Sequence, residues 1–319
     1  MTPKIINYLL IILSMITFAI VPLIHSADLG ISKELWWKIL VQLRIPRVVF
    51  AYLVGFSLSL IGTVYQSLLR NDLATPYTLG VSSGGALGAV IAIKLGVNFS
   101  WAGYSTAALF SVGGSFITIW MIYLMAHTSS GSSTVRLVLT GVTISLFFSS
   151  LILFIHYLAD FTETYRMVRW LMGGLQVSGW QYIWALLPLV LLFFLYFLFH
   201  GHALNIMSAG FETAMSKGVD VARLQKRSFI YSSLLIGVVV AFAGPIGFVG
   251  LIIPHLMRLL VGADHRSLIP AAALTGGIFL VWCDTLARMI IAPAELPVGV
   301  ITSLLGAPFF IWILLRTRR

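Results

Sequence analysis

The sequence predicts an all-α integral membrane protein of about ten transmembrane helices arranged as inverted internal repeats. Three observations carry this expectation. Of the 319 residues, 59% are hydrophobic and 9% charged, whereas about a quarter of a soluble domain is charged. Apolar windows close to the ~20 residues that cross a bilayer core recur along the chain, separated by short polar or Gly/Pro-rich breaks. Runs such as WALLPLVLLFFLYFLF (Trp184 to Phe199) are apolar on every face, unlike the alternating segments of a membrane barrel.

Ten spans follow, at approximately 5–24, 46–68, 79–96, 103–126, 134–158, 181–200, 228–244, 246–261, 268–291 and 297–315. Lys4 precedes the first, but the apolar run is long and lacks a small-residue cleavage site, so it reads as a helix and not a signal peptide. The second runs into the polar cluster Gln66, Arg70, Asn71 and Asp72. Small residues in LGVSSGGALGA place close helix packing in the third; Ser82 and Ser83 lack the setting of a nucleophile elbow. His200 and His202 end the sixth as an interfacial polar cap. The eighth is interrupted by Gly250, Pro254, His255 and Arg258. Proline removes a backbone donor and irregular backbone at membrane depth is tolerated beside protein or a water-filled path, so Gly250 is expected to loosen packing and the break to serve a pathway. Arg258 is expected to snorkel to the headgroups. The ninth holds Asp284 and Arg288 four residues apart, the favourable order for a helix pair; a structural pair and a functional Arg288 both stay open, since ionisable groups at this depth are costly.

Orientation follows from the basic residues. With the N-terminus inside, the inner set is Lys4, Arg70, Arg136, Lys217, Arg223, Lys226, Arg227, Arg258, Arg266, Arg316, Arg318 and Arg319, and the outer set is Lys33, Lys38, Arg44, Arg47, Lys94, Arg166, Arg169 and Arg288. Both termini are thus expected in the cytoplasm, and the formal charge of +10 reads as topology and not as nucleic-acid binding. The single cysteine, Cys283, permits no disulfide within the chain.

Chemistry is sparse. The chain has no Gly-Lys dipeptide, so no P-loop can cradle phosphates. The His-Glu-x-x-His pattern is absent and the seven histidines are scattered, so no metal site or cofactor is expected. Transport remains. An ion-driven secondary transporter would want carboxylates deep in several spans, and only Asp284 sits so; an embedded enzyme would want a convergent catalytic set, and none appears. Two long spans are each followed by a Gly/Pro-broken segment and a small-residue span, starting on opposite sides of the membrane, as in transporters built on inverted repeats. The largest inner loop, near 205–227, is polar and basic, with Glu212 to Met215 suited to a short helix across the cytoplasmic face. Another loop, near 159–180, lies outside. The chain reads as one transmembrane domain, 1–319.

QLRIPRVVFAYLVGFSLSLIGTVYQSLLRNDLATPYTLGVSSGGALGA resembles a signature of FecCD-type permeases, the membrane subunits of ABC importers for iron-siderophore complexes, haem and cobalamin. AGPIGFVGLIIPHLMRLLVGADHRSLIPAAALTGG and DTLARMIIAPAELPVGVITSLLGAPFFIWILL are similar to further signatures of that family, as are WLMGGL (Trp170 to Leu175) and VLTGVTIS (Val138 to Ser145). One departure stands out: the family usually has Asn-Pro-Leu-Ala after the second span, and here Asp72 replaces the proline, with Pro76 breaking the helix nearby.

The resemblance implies a type II ABC importer fold and an inner-membrane assembly. Its parts would be a second permease subunit, identical or related, two ATPase subunits inside, and an extracytoplasmic substrate-binding protein. It implies that Arg44, Arg47 and Arg288 form an outer basic rim for that protein. Gly210, Glu212, Ala214 and Gly218 would match the loop that seats a coupling helix in the ATPase. Gln66, Asn71, Pro254, His255 and Asp284 are pathway or structural polar candidates, and spans two, five and eight are the expected lining. Iron-siderophore is the first choice of cargo, with haem or cobalamin the alternative.

Overall fold

A computed structural model describes residues 2–24, 32–75, 77, 79–97, 99–101, 104–127, 134–176 and 179–317. The helices are α1 (Pro3–Ile20), α2 (Lys33–Ile39), α3 (Ile45–Leu69), α4 (Val81–Lys94), α5 (Thr106–His127), α6 (Thr134–Tyr157), α7 (Phe161–Leu171), α8 (Gln181–Phe199), α9 (Gly201–Ala209), α10 (Phe211–Ser216), α11 (Val221–Ala243), α12 (Val249–Val261), α13 (His265–Met289) and α14 (Val298–Thr317). α2 runs into α3 through a widened turn, Leu40–Arg44. A two-residue antiparallel ladder pairs Ser100 with Ser105 between α4 and α5.

Each expected span coincides with a helix: α1, α3, α4, α5, α6, α8, α11, α12, α13 and α14. Among the described residues, six spans are long and apolar enough to cross a membrane, and α4, α5, α12 and α14 contribute shorter apolar stretches. With 14 and 13 residues, α4 and α12 rise about 20 Å at ~1.5 Å per residue, short of the ~30 Å hydrocarbon core. Non-helical backbone precedes each, at the described residues 70–75, 77, 79 and 80 before α4 and at 244–248 before α12. The two segments meet: the Tyr77 hydroxyl donates to the Ile246 carbonyl at 2.5 Å and accepts from its N–H at 2.6 Å. A long helix, a break and a short helix thus occur once in each half and touch at their breaks. Pro76, the expected helix breaker, lies outside the described residues, as do Arg318 and Arg319.

Two expectations about the eighth span are corrected. The chain breaks at Gly244–Phe248, where Phe248 has φ +68°, and not at Pro254, which lies inside the helix. Gly250 does not loosen packing; a Cβ on Gly62 of α3 would land on the Gly250 carbonyl oxygen, so the two glycines let α3 and α12 touch backbone to backbone. Small residues are what allow such approach between helices.

α3 is the centre of the bundle. It packs against α8, α9, α11, α12 and α13 and is buried along most of its length. Its closest partner is α13, where Gly55 meets the backbone of Gly276 and Tyr52 covers Gly277. The expectation that this second span lines an open path is therefore corrected: neighbours enclose it on all sides. By contrast α6 turns Leu139, Leu146, Leu153 and Phe154 outward.

The segment expected as a loop with a short helix, 205–227, holds that helix as α10 and is more helical than expected, with α9 before it and the first turns of α11 after it. Asp220 accepts from the Arg223 N–H and starts α11 seven residues before the apolar run. Val221 and Leu224 bury one face there while Arg223 stays exposed. Residues 159–180 likewise hold α7, started by a capping box in which Asp160 and Glu163 satisfy each other's backbone N–H groups. Lys94 bonds the Glu163 carboxylate at 2.8 Å, holding it below the usual carboxylate range.

Candidate functional site

The polar residues collect at the two ends of the α3–α13 pair. At the end holding the α3 N-terminus, Arg47 grips Asp284 of α13 with Nε at 3.0 Å from Oδ2 and Nη2 at 2.9 Å from Oδ1. Its remaining Nη1 reaches Glu295 at 3.0 Å. Arg288 lies on the other side of Asp284, with Nε 3.2 Å from Oδ2, and donates to Thr285 Oγ1 at 3.4 Å. Gln176 donates to Glu295 at 3.3 Å and accepts from Arg169 at 3.0 Å. The loop is pinned by the Leu296 N–H on the Ala287 carbonyl.

Asp284 is only 3% exposed, so it needs cations, and it has two. The sequence left a structural pair with Arg288 open; the structure makes Arg47, 237 residues away, the two-pronged partner. The expected rim of three free arginines is accordingly a compensated cluster, in which Arg47 and Arg288 face Asp284 and Glu295. Arg44 stands apart, with Nη1 3.4 Å from the Pro22 carbonyl. Sequence reading missed Glu295, Gln176 and Arg169; an acidic residue in the loop just after Asp284 and Arg288 was the available signal.

Beside the cluster opens a cavity of about 430 Å³, walled by Arg47 with its partners Asp284 and Glu295, by Arg166 and Arg169, and by Trp170, Tyr182 and Phe242. Arg166 and Arg169 beside the aromatic rings make part of this wall suited to flat or anionic groups. A smaller hollow of about 140 Å³ holds Arg44, Arg288 and Glu295.

At the opposite end, Arg258 is tied down, which corrects the expectation that it snorkels. It pairs with Asp72 and donates to Gln66 Oε1 at 3.0 Å. Asp72, the residue standing where the family has proline, thus gains a partner that proline could not supply. Gln66 also donates toward the Leu251 carbonyl at 3.5 Å. Asn71 acts locally, its Oδ1 accepting from the Leu73 N–H at 2.9 Å in the Asx turn that reverses the chain after α3. Pro254 is buried inside α12, and the half-buried His255 makes no hydrogen bond among the described residues. His200 stacks on Tyr196 at 4.1 Å, and no group of three or more His, Cys, Asp or Glu among the described residues could hold a metal.

α10 lies at this same end. Gly210 takes φ +143° and Gly218 φ +78°, conformations that favour glycine, and they bound a six-residue helix. Ala214 is wholly buried and its carbonyl receives the Val219 N–H at 2.9 Å. Glu212, Met215 and Lys217 face outward. Phe211 sits under the Arg70 guanidinium at 5.6 Å, and Ser208 of α9 bonds Ser67 of α3 at 3.0 Å.

A family model described as the FecCD transport family matches residues 6–316. The chain belongs to the FecCD transport family. Its relatives include the permease YvrB of Bacillus subtilis, 43% identical over 92% of this chain and 83% of the relative. The hemin transport permease HmuU of Yersinia pestis is 38% identical over 90% and 86%, and the cobalamin import permease BtuC of Halobacterium salinarum 41% over 85% and 72%. Among solved structures, an inward-facing conformation of an ABC transporter assigned to the metal-chelate type superposes with TM-score 0.88 at 34% identity, covering 98% of this chain and 99% of that one. A FecCD chain of this kind is a membrane-embedded permease subunit of an ABC importer, and the ten-span reading and the family resemblance hold.

Proposed function

We propose that this subunit carries an iron-siderophore complex across the cytoplasmic membrane by alternating access. It works with a second permease subunit, two ATPases and an extracytoplasmic binding protein, and both its termini are cytoplasmic. The observation that carries the reading is the two-ended geometry: an outward-facing short helix, α10, at one end and a cationic, aromatic-walled cavity at the other. Glu212 and its neighbours engage the ATPase, while Ala214 and the two bounding glycines fix the seat. Arg44, with Arg288 where it lines the smaller hollow, meets acidic groups of the binding protein, and Arg47 keeps the rim in shape through Asp284. Exposed pairs of this sort are worth ~0.2–1 kcal/mol each, so they set orientation and encounter rate more than affinity. The chain performs no chemical step of its own.

An iron-siderophore is favoured as cargo by the cavity lining and by likeness to the iron(3+)-hydroxamate permease FhuG of Bacillus subtilis, 34% identical over 87% of this chain. Haem or cobalamin is the second reading, supported by the relatives named for them. The test is uptake into proteoliposomes holding this permease with its ATPase and binding protein. Radiolabelled ferric hydroxamate should accumulate only with ATP, and haem or cobalamin should not compete. Uphill accumulation without the ATPase would overturn the importer reading, and competition by haem or cobalamin the cargo.

A further inference from the structure

Between α10 and the bundle core lies a bracket to which neither the family resemblance nor the reading above gives a role. Asn205, on α9, sits against the N-terminus of α13. Its Nδ2 donates to Asp264 Oδ1 at 2.7 Å. That bond to a carboxylate fixes which end of the amide is oxygen. Oδ1 then accepts from the His265 N–H at 2.8 Å and faces His265 Nδ1 at 2.6 Å. Since an amide oxygen only accepts, Nδ1 must carry the ring proton. One side chain thereby joins three groups of α13.

The first turn of α13 depends on this bracket more than an ordinary helix start does. Pro270 lies in its second turn and has no N–H to return to the Arg266 carbonyl, so side-chain caps must hold the turn. Asp264 supplies one, accepting from the Arg266 N–H at 3.0 Å and from the Arg266 guanidinium at 2.7 Å. The Arg266 pairing, with the Asn205 bond, keeps the Asp264 carboxyl well below its usual range, so it remains a charged acceptor.

On its other side α9 leads through Gly210 into α10. Above the bracket α13 runs 25 residues without interruption, about 37 Å, and its last turns carry Asp284, which holds Arg47. Along the way Gly276 and Gly277 pack it against α3. α13 is thus a stiff connection between the α9–α10 end and the Asp284 cluster, entered at Asn205, and it runs beside the direct α9–α3 contact of Ser208 with Ser67.

We infer that Asn205 is the positioning residue that joins the α10 seat to α13, so that events at the cytoplasmic face and at the outer cluster are felt by each other. This rests on the proposed ATPase-driven function. Asn205 is half-buried against the start of α13 while Glu212 and Met215 are exposed, so the joint is separable from the ATPase seat.

The experiment uses the full permease reconstituted with its ATPase and binding protein. Asn205→Ala should leave ATPase co-purification and basal hydrolysis unchanged, while stimulation of hydrolysis by the loaded binding protein falls about fivefold or more, the scale of a coupling free energy between sites. Asn205→Asp sets two carboxylates face to face and should uncouple similarly. In both variants basal hydrolysis should stay at the wild-type rate while stimulation falls, a split that a merely structural site would not give. Wild-type stimulation in a folded Asn205→Ala or Asn205→Asp protein overturns the inference, as does a loss of basal hydrolysis in step with stimulation. Should Asn205→Ala not fold, the Asp variant carries the test. Failure of the wild-type permease to bring an ATPase with it refutes the function and is read separately.

Discussion

The two ends of the α3–α13 pair solve opposite problems. At the end holding the α3 N-terminus two arginines and two carboxylates are drawn together, with Asp284 only 3% and Arg47 only 16% exposed. At the α10 end the ion pairs Arg258–Asp72 and Arg266–Asp264 have exposed members, the amide of Asn205 bridges α9 to the start of α13, and Glu212 of α10 faces outward. A buried charge must be compensated or it destabilises the fold, whereas an exposed one is compensated by water. The Asp284 cluster is therefore sensitive to the loss of a partner, whereas the exposed face of α10 can change without disturbing the bundle.

The largest effect should come from Asp284→Ala, which takes from the largely buried Arg288 its carboxylate and leaves Arg47 with Glu295 alone. Removing one partner of a buried pair costs about 3–5 kcal/mol, and a melting series in detergent should show the loss; a wild-type melting temperature would break the contrast. Next is Gly55→Val, whose side chain would meet the Gly276 backbone. Overpacking costs ~1–3 kcal/mol, and the same series should place it between the charge variants and the surface ones. Asp72→Ala removes a carboxylate that is 62% exposed, so its stability cost should stay within ~1 kcal/mol. If it instead matched Asp284→Ala, the inner ion pair would have to be as critical as the outer. Glu212→Lys should change stability least, within ~0.5 kcal/mol as for an ordinary surface site, yet reduce ATP-driven uptake strongly. Transport at the wild-type rate would deny α10 its role.

Much of the fold was legible because lipid imposes a length and a composition on every crossing. The ten helical spans and a short helix near Glu212 followed from apolar runs and from the helix-forming residues Glu212 to Met215. The centre of the bundle did not. The apolar window of α8 has mean hydropathy 2.4 with 28% of it buried, while that of the continuous run Lys33–Leu69, which ends in α3, has 1.9 with 89% buried. In a bilayer, residues facing lipid and residues facing protein share the same apolar chemistry, so hydropathy cannot rank helices by depth. Gly55 and Gly62 were the sequence's only hint that α3 is crowded on all sides.

Ion pairs were harder still. Charge spacing along one helix suggested Asp284 with Arg288, but Arg47 comes from another helix and Arg258 finds Asp72 across 186 residues. Local order within a helix follows from the 3.6-residue repeat, and so the sequence by itself determined the membrane class, the spans and their helical partners at short range. Which helices lie side by side, and therefore which distant charges neutralise one another and which remain exposed, was decided only in the packed structure. The physical reason is that a hydrogen-bonded ion pair needs contact at about 3 Å, and only folding brings residues that far apart in the chain to that distance.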